Sequence, residues 1–355
     1  MGSTAAARRP SEPIEDAADR APPRPLQTTV APPTADPDDP VAAEWVDGPD
    51  DLAADFRAAC AGAPYAAYQQ SYAYGEAIRA MGGRVLRARI VQGDAVIGVA
   101  QAVTHRLFGG LAVTHVMRGP VWRDPAPTAR VKAAAVGALH KTLPAKGLCA
   151  LLISPEGGAD DGLAEAGFKR VFSGYHTALL DLTAPEDALL KGLNGKWRNR
   201  LRAAQTSDVV ATRLGRDPSK YAWLLDKDAQ LMHRLRHQSS NVALIPQYQE
   251  RAGRKSVLGF EAKRGAARLA GMLFLRHGED ATYHIGWSGE DGKALNAHNL
   301  LLWEAVLELK KSGVRTLDLG GIDTDNNPGI ARFKLGVGGA VVSLPGSWTK
   351  GPRWR

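Results

Sequence analysis

The stretch ALNAHNLLLWEAVLELKKSGVRTLDLGGIDTDNNPGIARFKLGVGG, residues 294–339, holds three elements in close succession. Leu302, Val306 and Leu309, with Leu300, Trp303 and Leu307, fall at spacings that line one stripe of a helix facing a core. Lys310, Lys311 and Gly313 end that helix, because cations suit the negative end of its dipole and glycine supplies a left-handed cap. The strand Arg315 to Leu319 follows and runs into Gly320-Gly321, where the missing side chains let a backbone or ligand come close. Beyond the polar turn Asp323 to Pro328, residues 329–336 (GIARFKLG) read as a short helix carrying Phe333 and Lys334. The chain then passes Val337-Gly338-Gly339 into a last strand, Ala340 to Leu344.

Working outward, the second half opens with a helix at Pro185, a basic helix from Asn194 to Ala204 and a strand from Val209 to Leu214. Helices over Pro218–His237 and Pro246–Ala252 precede strands at Val257–Ala262, Ala267–Arg276 and Ala281–Trp287. The first half has a similar order. Asp50-Asp51 caps a helix that runs to about Cys60, and a second helix follows Gln70-Ser71. A hairpin (Val85–Val91, Ala95–Thr104) and a strand (Leu111–Val116) lead to Arg118-Gly119-Pro120. A helix over Thr128–Leu143, a strand over Leu148–Ile153, a helix at Leu163–Ala166 and a strand over His176–Leu182 complete the unit. The pattern predicts an α+β protein: a disordered tail over 1–43, one unit over 44–182, a second over 183–340, and a terminal segment, 341–355, returning to the first.

A chain of 355 residues with 44% hydrophobic content holds about two cores. No run of about 18 apolar residues spans a bilayer, and the amino terminus lacks the apolar centre of a signal peptide, so the expected compartment is the cytoplasm. The Arg8-Arg9 pair is followed by acids, which argues against a transit peptide. Two cysteines, Cys60 and Cys149, exclude a disulfide framework, and no metal site is expected. The net charge of +8, from 45 Lys and Arg against 37 Asp and Glu, suits a polyanionic partner: tRNA, a pyrophosphate-bearing substrate, or anionic headgroups at a membrane surface.

The segments QSYAYGEA (70–77), RGPVW (118–122), KWRNRLRAA (196–204), LDLGGI (317–322) and GIARFKLGVGG (329–339) occur in the order found in the Fem-type (FemABX) aminoacyltransferases, which the chain resembles over roughly residues 45–350. That family attaches amino acids from aminoacyl-tRNA to peptidoglycan precursors on two GNAT-like domains with mixed, mainly antiparallel sheets. The resemblance implies a cytoplasmic transferase that uses aminoacyl-tRNA and a muropeptide or other small amine acceptor, with no bound cofactor, no metal and no DNA. An acyl-CoA donor on the same fold, or a glycan- or peptide-binding protein without catalysis, are the alternatives.

The resemblance places Phe333 and Lys334 at the active centre, with Lys334 stabilising the tetrahedral intermediate. Asp318 and Asp323 flank Gly320 and Gly321; either can take a proton from the attacking ammonium, or serve only a turn and an ion pair. Tyr283 and His284 alternate on a strand beside the cleft, so one of the two faces it. Lys196, Arg198, Arg200 and Arg202 can grip phosphates or form a solvated face. Arg118 and Arg79 are the cations expected to hold the acceptor, with a salt bridge as the alternative for Arg118. In relatives that take a nucleotide-linked muropeptide, a lysine and an arginine hold the phosphates; here those places fall near Glu76 and at Leu244 or Ile245, so neither cation is retained.

Overall fold

The computed structural model describes residues 39–48, 51–123, 127–144, 147–157, 162–237 and 239–354. The expected disorder of the tail therefore lies, up to residue 38, outside the described residues, as do Arg8, Arg9 and Asp50. The strands are β1 (Val41–Asp47), β2 (Arg84–Gln92), β3 (Ala95–Arg106), β4 (Ala112–Met117), β5 (Val121–Trp122), β6 (Leu148–Ser154), β7 (Lys169–Phe172) and β8 (His176–Asp181). They continue as β9 (Val210–Arg213), β10 (Val257–Arg264), β11 (Ala267–His277), β12 (Asp280–Ser288), β13 (Thr316–Ile322), β14 (Ala340–Ser343), β15 (Ser347–Thr349) and β16 (Arg353–Trp354). The helices are α1 (Ala53–Gly62), α2 (Tyr72–Ala80), α3 (Ala129–Thr142), α4 (Glu186–Gly192) and α5 (Gly195–Gln205). They are followed by α6 (Pro218–Arg234), α7 (Asn241–Ala252), α8 (Glu290–Ala294), α9 (Ala297–Lys311) and α10 (Pro328–Leu335).

Two sheets result, ordered β1-β2-β3-β4-β6-β15-β7 and β14-β8-β13-β12-β11-β10-β9, with β5 and β16 pairing off the first path. Each has one parallel pair, β4 with β6 and β12 with β13, and is otherwise antiparallel. In both, three antiparallel strands lead through a crossing helix, α3 or α9, to the parallel partner, so the α+β reading with mixed, mainly antiparallel sheets holds. Helix α3 packs Ala135, Val136 and Leu139 on the first sheet. Helix α9 is buried on more than the predicted stripe, since Leu300, Leu301, Leu302 and Trp303 are all interior, with the second sheet on one side and α5 on the other.

Several details differ from the sequence reading. Strand β1 starts inside the expected tail, since Val41–Asp47 pairs with β2 along its whole length. Leu52, not an aspartate, sits at the start of α1, and Asp51 pairs with Arg89 instead. Residues 163–166 form turns, α7 starts five residues earlier than predicted with Pro246 inside it, and β7 and α8 are additional. The largest difference is β8, which pairs with β13 and β14 in the second sheet and does not complete the first.

The reason is a two-stranded ribbon shared by the sheets. His176 pairs with Ser343, the Leu344 N–H donates to the Tyr175 carbonyl at 2.9 Å, and Ser347 pairs with Phe172. The ribbon thus runs from β8/β14 in the second sheet to β7/β15 in the first. Only the end of the terminal segment returns to the first sheet, because β14 stays on the second. Where it crosses, a Cβ on Gly174 would strike the Leu344 carbonyl oxygen, and one on Gly346 (φ +93°) the Phe172 carbonyl oxygen. A third core, with Tyr74 and Ala77 of α2 against Leu244, Ile245 and Tyr248 of α7, packs the halves together.

Gly174→Ala places a methyl group in backbone, which cannot rotate away. It is expected to cost about 2 kcal/mol or more in stability, read as a lower midpoint in urea unfolding, whereas Gly137→Ala, with open space around it, leaves the midpoint within error or raises it. A second test uses Asp280, whose Oδ2 accepts the Ala66 N–H at 3.1 Å between the halves. Burial pushes its carboxyl up to about 7, against the opposing bonds from Ala66 and Thr316. The folded state then holds a proton that the unfolded chain releases near pH 4, so this group's contribution is full below about pH 4 and is lost as pH rises through about 7. Asp280→Asn keeps an acceptor and removes the titration. Its melting temperature relative to the parent should rise from about pH 4 to about pH 7 and level off above, and a constant difference would contradict the assignment.

Candidate active site

Strands β12 and β13 pair only where Asp280–Thr282 face Thr316–Asp318. Beyond that point they part, and β12 continues to Ser288 while β13 continues to Ile322. A bulge at His284 contributes: Phe274 pairs with Tyr283 and Leu273 with Ile285, so His284 has no partner across the ladder. Tyr283 therefore packs with the α9 core, and Ile285 with the core between the halves. Ligands commonly bind where parallel strands end and separate.

Lys334 occupies this opening. Its Nζ donates to the Gly321 carbonyl at 2.8 Å and lies 5.8 Å from the centre of the Tyr283 ring. Gly320 (φ +74°) makes room: a Cβ there would sit 3.4 Å from Nζ and 3.6 Å from the Tyr283 carbonyl oxygen. Burial lowers the pKa of the ammonium, and the charge of Asp318 works against that shift.

Helix α10 is positioned by α5. The Trp197 indole donates to the Phe333 carbonyl at 3.1 Å, the Asn194 N–H to the Gly336 carbonyl at 2.9 Å, and the Phe333 ring lies between Trp197 and His298. Phe333 thus anchors the helix and sends its neighbour Lys334 into the gap. The basic segment KWRNR works through its tryptophan, while Lys196 is exposed and Arg198 half-buried on the same helix.

Asp318 is interior and saturated. Its Oδ1 accepts from the Gly320 N–H at 2.7 Å and from the Thr177 hydroxyl, and its Oδ2 accepts from Tyr65 at 3.0 Å and Arg118 at 3.1 Å. Four donors leave no lone pair free for an incoming proton. Arg118 is spent in the same way: it forks onto Glu156, donates to Tyr175 at 2.9 Å and reaches Asp318 from the other half of the chain. Burial raises the Glu156 carboxyl pKa, with Arg118 opposing. The structure thus puts Arg118 in a salt bridge, which was the alternative to a place at the acceptor.

Other expected residues also fall elsewhere. Arg79 is tied to Glu76 at 2.9 Å and the Val85 carbonyl at 3.2 Å, and Glu76 also pairs with Arg87, so this surface offers no phosphate clamp. Leu244 and Ile245 are in the core between the halves. Asp323 is an exposed turn carboxylate whose pKa is lowered by bonds from Asn326, which makes it a weak base. His284 turns away from Lys334 and contacts Asn241 at 3.0 Å; burial lowers its pKa to about 4. The residue of the pair that reaches the site is Tyr283.

Tyr65, Glu156, Tyr175 and Thr177 were not anticipated. Tyr175 matters most for access: its ring is 45% exposed, borders Gly321, and its hydroxyl is held by Arg118. No local pattern marks these residues, since Thr177 and Tyr65 gain their meaning from Asp318, 141 and 253 residues away, and Glu156 and Tyr175 from Arg118, 38 and 57 residues away. Among the described residues no group of three His, Cys, Asp or Glu is placed to hold a metal ion. Two surface cavities, of about 220 and 170 Å³ beside β9 and the end of α9, do not include Lys334 in their walls.

Removing Arg118 leaves Asp318 and Glu156 buried without their cation. Arg118→Ala should cost about 3–5 kcal/mol in stability, seen as a large fall in the urea midpoint. A variant as stable as the parent, with only a raised acceptor KM, would restore the binding role.

Residues 225–353 match the family model described as "FemAB family". No curated protein matches. Among solved structures, FemX aligns with a TM-score of 0.68 at 15% identity, covering 87% of this chain and 97% of its own. A conserved protein of unknown function from Bacteroides thetaiotaomicron aligns at 0.55 and 13%, covering 86% and 98%. A tandem GNAT protein from the clavulanic acid biosynthesis pathway aligns at 0.50 and 16%, again covering 86% and 98%. Residues 225–353 are thus similar in sequence to the FemAB family, and the chain through both sheets shares its fold with FemX and with a tandem GNAT protein.

Proposed function

We propose that the protein is a Fem-type aminoacyltransferase that transfers an amino acid from aminoacyl-tRNA to an amine of a cell-wall precursor, at the gap between β12 and β13. The observation that carries this reading is Lys334, held in that gap by Gly321 within the part of the chain that matches the FemAB family. The acceptor amine adds to the ester carbonyl, forming the C–N bond as the carbonyl electron pair moves onto oxygen. The oxyanion pair then re-forms the carbonyl as the bond between the acyl carbon and the ribose oxygen breaks, and the proton released by the amine goes to that leaving oxygen. The Lys334 ammonium stabilises the oxyanion between these steps. Asp318 acts as a positioning residue: its bond to the Gly320 N–H fixes the glycine turn whose next carbonyl holds Lys334. The exposed ring of Tyr175 offers the donor's terminal base a stacking surface.

The loop before α9 favours this donor over acyl-CoA. A pyrophosphate held at a helix start needs free backbone N–H groups and no nearby anions. Here α8 begins with Glu290 and Asp291, and the backbone at Gly292 is covered by the Leu269 carbonyl. No helix among the described residues is long and apolar enough to cross a membrane, and the proposed donor places the reaction in the cytoplasm.

Lys334→Met removes the charge and keeps most of the length. It should lower kcat with aminoacyl-tRNA by about 100-fold, while leaving the melting temperature close to the parent. Because the pKa of Lys334 is lowered and the charged form is required, kcat in the parent should fall at a pH below the usual lysine range. Lys334→Arg should lose that alkaline limb. Turnover of acetyl-CoA but not of aminoacyl-tRNA would overturn the donor, and normal turnover by Lys334→Met would overturn the site.

A further inference from the structure

The end of α6 and the start of α7 form a surface that the transfer reaction does not use. Leu231 and Leu235 follow one another at helical spacing and are 38% and 55% exposed, and Val242, in the first turn of α7, is 46% exposed. His233, Arg234, Arg236 and His237 are exposed among them. From Ala229 to Gln249 the sequence contains no acidic residue. The preceding carboxylate, Asp228, is turned inward: its Oδ2 accepts from Ser239 at 2.9 Å and from Asn241 at 2.8 Å, which folds the connection back onto α6. Asn241 also meets His284, the bulged residue of β12. The tip is therefore tied to the strand that borders the gap.

We propose that this tip docks on an anionic lipid surface. Exposed aliphatic side chains between cations, with no compensating acid, match an interface where hydrocarbon and negative headgroups lie side by side. A nucleic acid backbone would use the cations and leave three large aliphatic side chains in water. The lysines and arginines on α5 have no such apolar companions: the large apolar residues of that helix, Trp197 and Leu201, are buried. Docking here would hold the gap between β12 and β13 near the bilayer surface.

The test is co-sedimentation of the full-length protein with vesicles of phosphatidylcholine alone or mixed with phosphatidylglycerol. Binding is expected only to the mixed vesicles, weakening as salt rises. Leu231→Glu/Leu235→Glu should reduce it at least tenfold. Arg236 has φ +58°, so Arg236→Gly removes the charge while relaxing the backbone and should reduce binding about fivefold with an unchanged melting temperature. No binding to the mixed vesicles, or variants that bind as the parent does, would overturn the proposal. Loss of tRNA binding in Arg236→Gly with unchanged vesicle binding would overturn it in favour of a nucleic acid contact. Turnover of a soluble acceptor by both variants should match the parent, so failure of docking is distinguishable from failure of the proposed transferase activity.

Discussion

The ion pair between Arg118 and Asp318 joins the two halves where the reaction is placed. It spans 200 residues of sequence and is almost wholly out of solvent. A buried pair of this kind adds little net stability, because desolvation of both ions offsets their attraction, but removing one partner leaves the other stranded. Its effect is therefore to permit one arrangement. Glu156, Tyr65, Tyr175 and Thr177 complete the hydrogen bonds that the two ions need, and all four come from the first half. Asp318 is also the residue that grips Gly320, so the geometry around Lys334 and the docking of the halves share one carboxylate.

The ribbon of β7/β15 and β8/β14 imposes the same arrangement through the backbone. Each sheet takes the strand next to one edge from the other half: β15 enters the first sheet from the chain terminus, between β6 and β7, and β8 enters the second from the first half, between β14 and β13. Separation of the halves would expose both sheet edges and the apolar contact of α2 with α7, which is why the structure has two cores in sequence order but is not built as two separable beads.

The strands and helices were largely legible, because hydrophobic period and turn chemistry are local. Strand β8 was recognised as a strand and given to the wrong sheet, since period two reports that a segment is extended and not which neighbour it pairs with. β1 was read partly as tail, because the proline- and aspartate-rich composition before it masked a short edge strand. For the site, Lys334 and the double glycine, singled out by the resemblance, lie against one another in the structure. The partners of Arg118 could not be read from the sequence, because both carboxylates that neutralise it are distant along the chain. His284 and Tyr283 were separable only as "one of two", and the bulge between their partners is what fixed the answer.

What remains at the gap among the described residues after these assignments is the half-buried Lys334 ammonium beside glycine backbone and an exposed aromatic ring, with Asp318 and Asp323 both already engaged. Asp318 is saturated, and Asp323 holds its own turn. Such a site can stabilise negative charge on oxygen but is poorly equipped to deprotonate an ammonium. The attacking amine must therefore arrive neutral or lose its proton along the reacting atoms themselves. An ester suits this arrangement, because its leaving oxygen is basic enough to accept that proton as the bond to carbon breaks, whereas a thiolate is a far weaker base. The ester donor proposed above fits such a site on this ground as well as on the acidic start of α8.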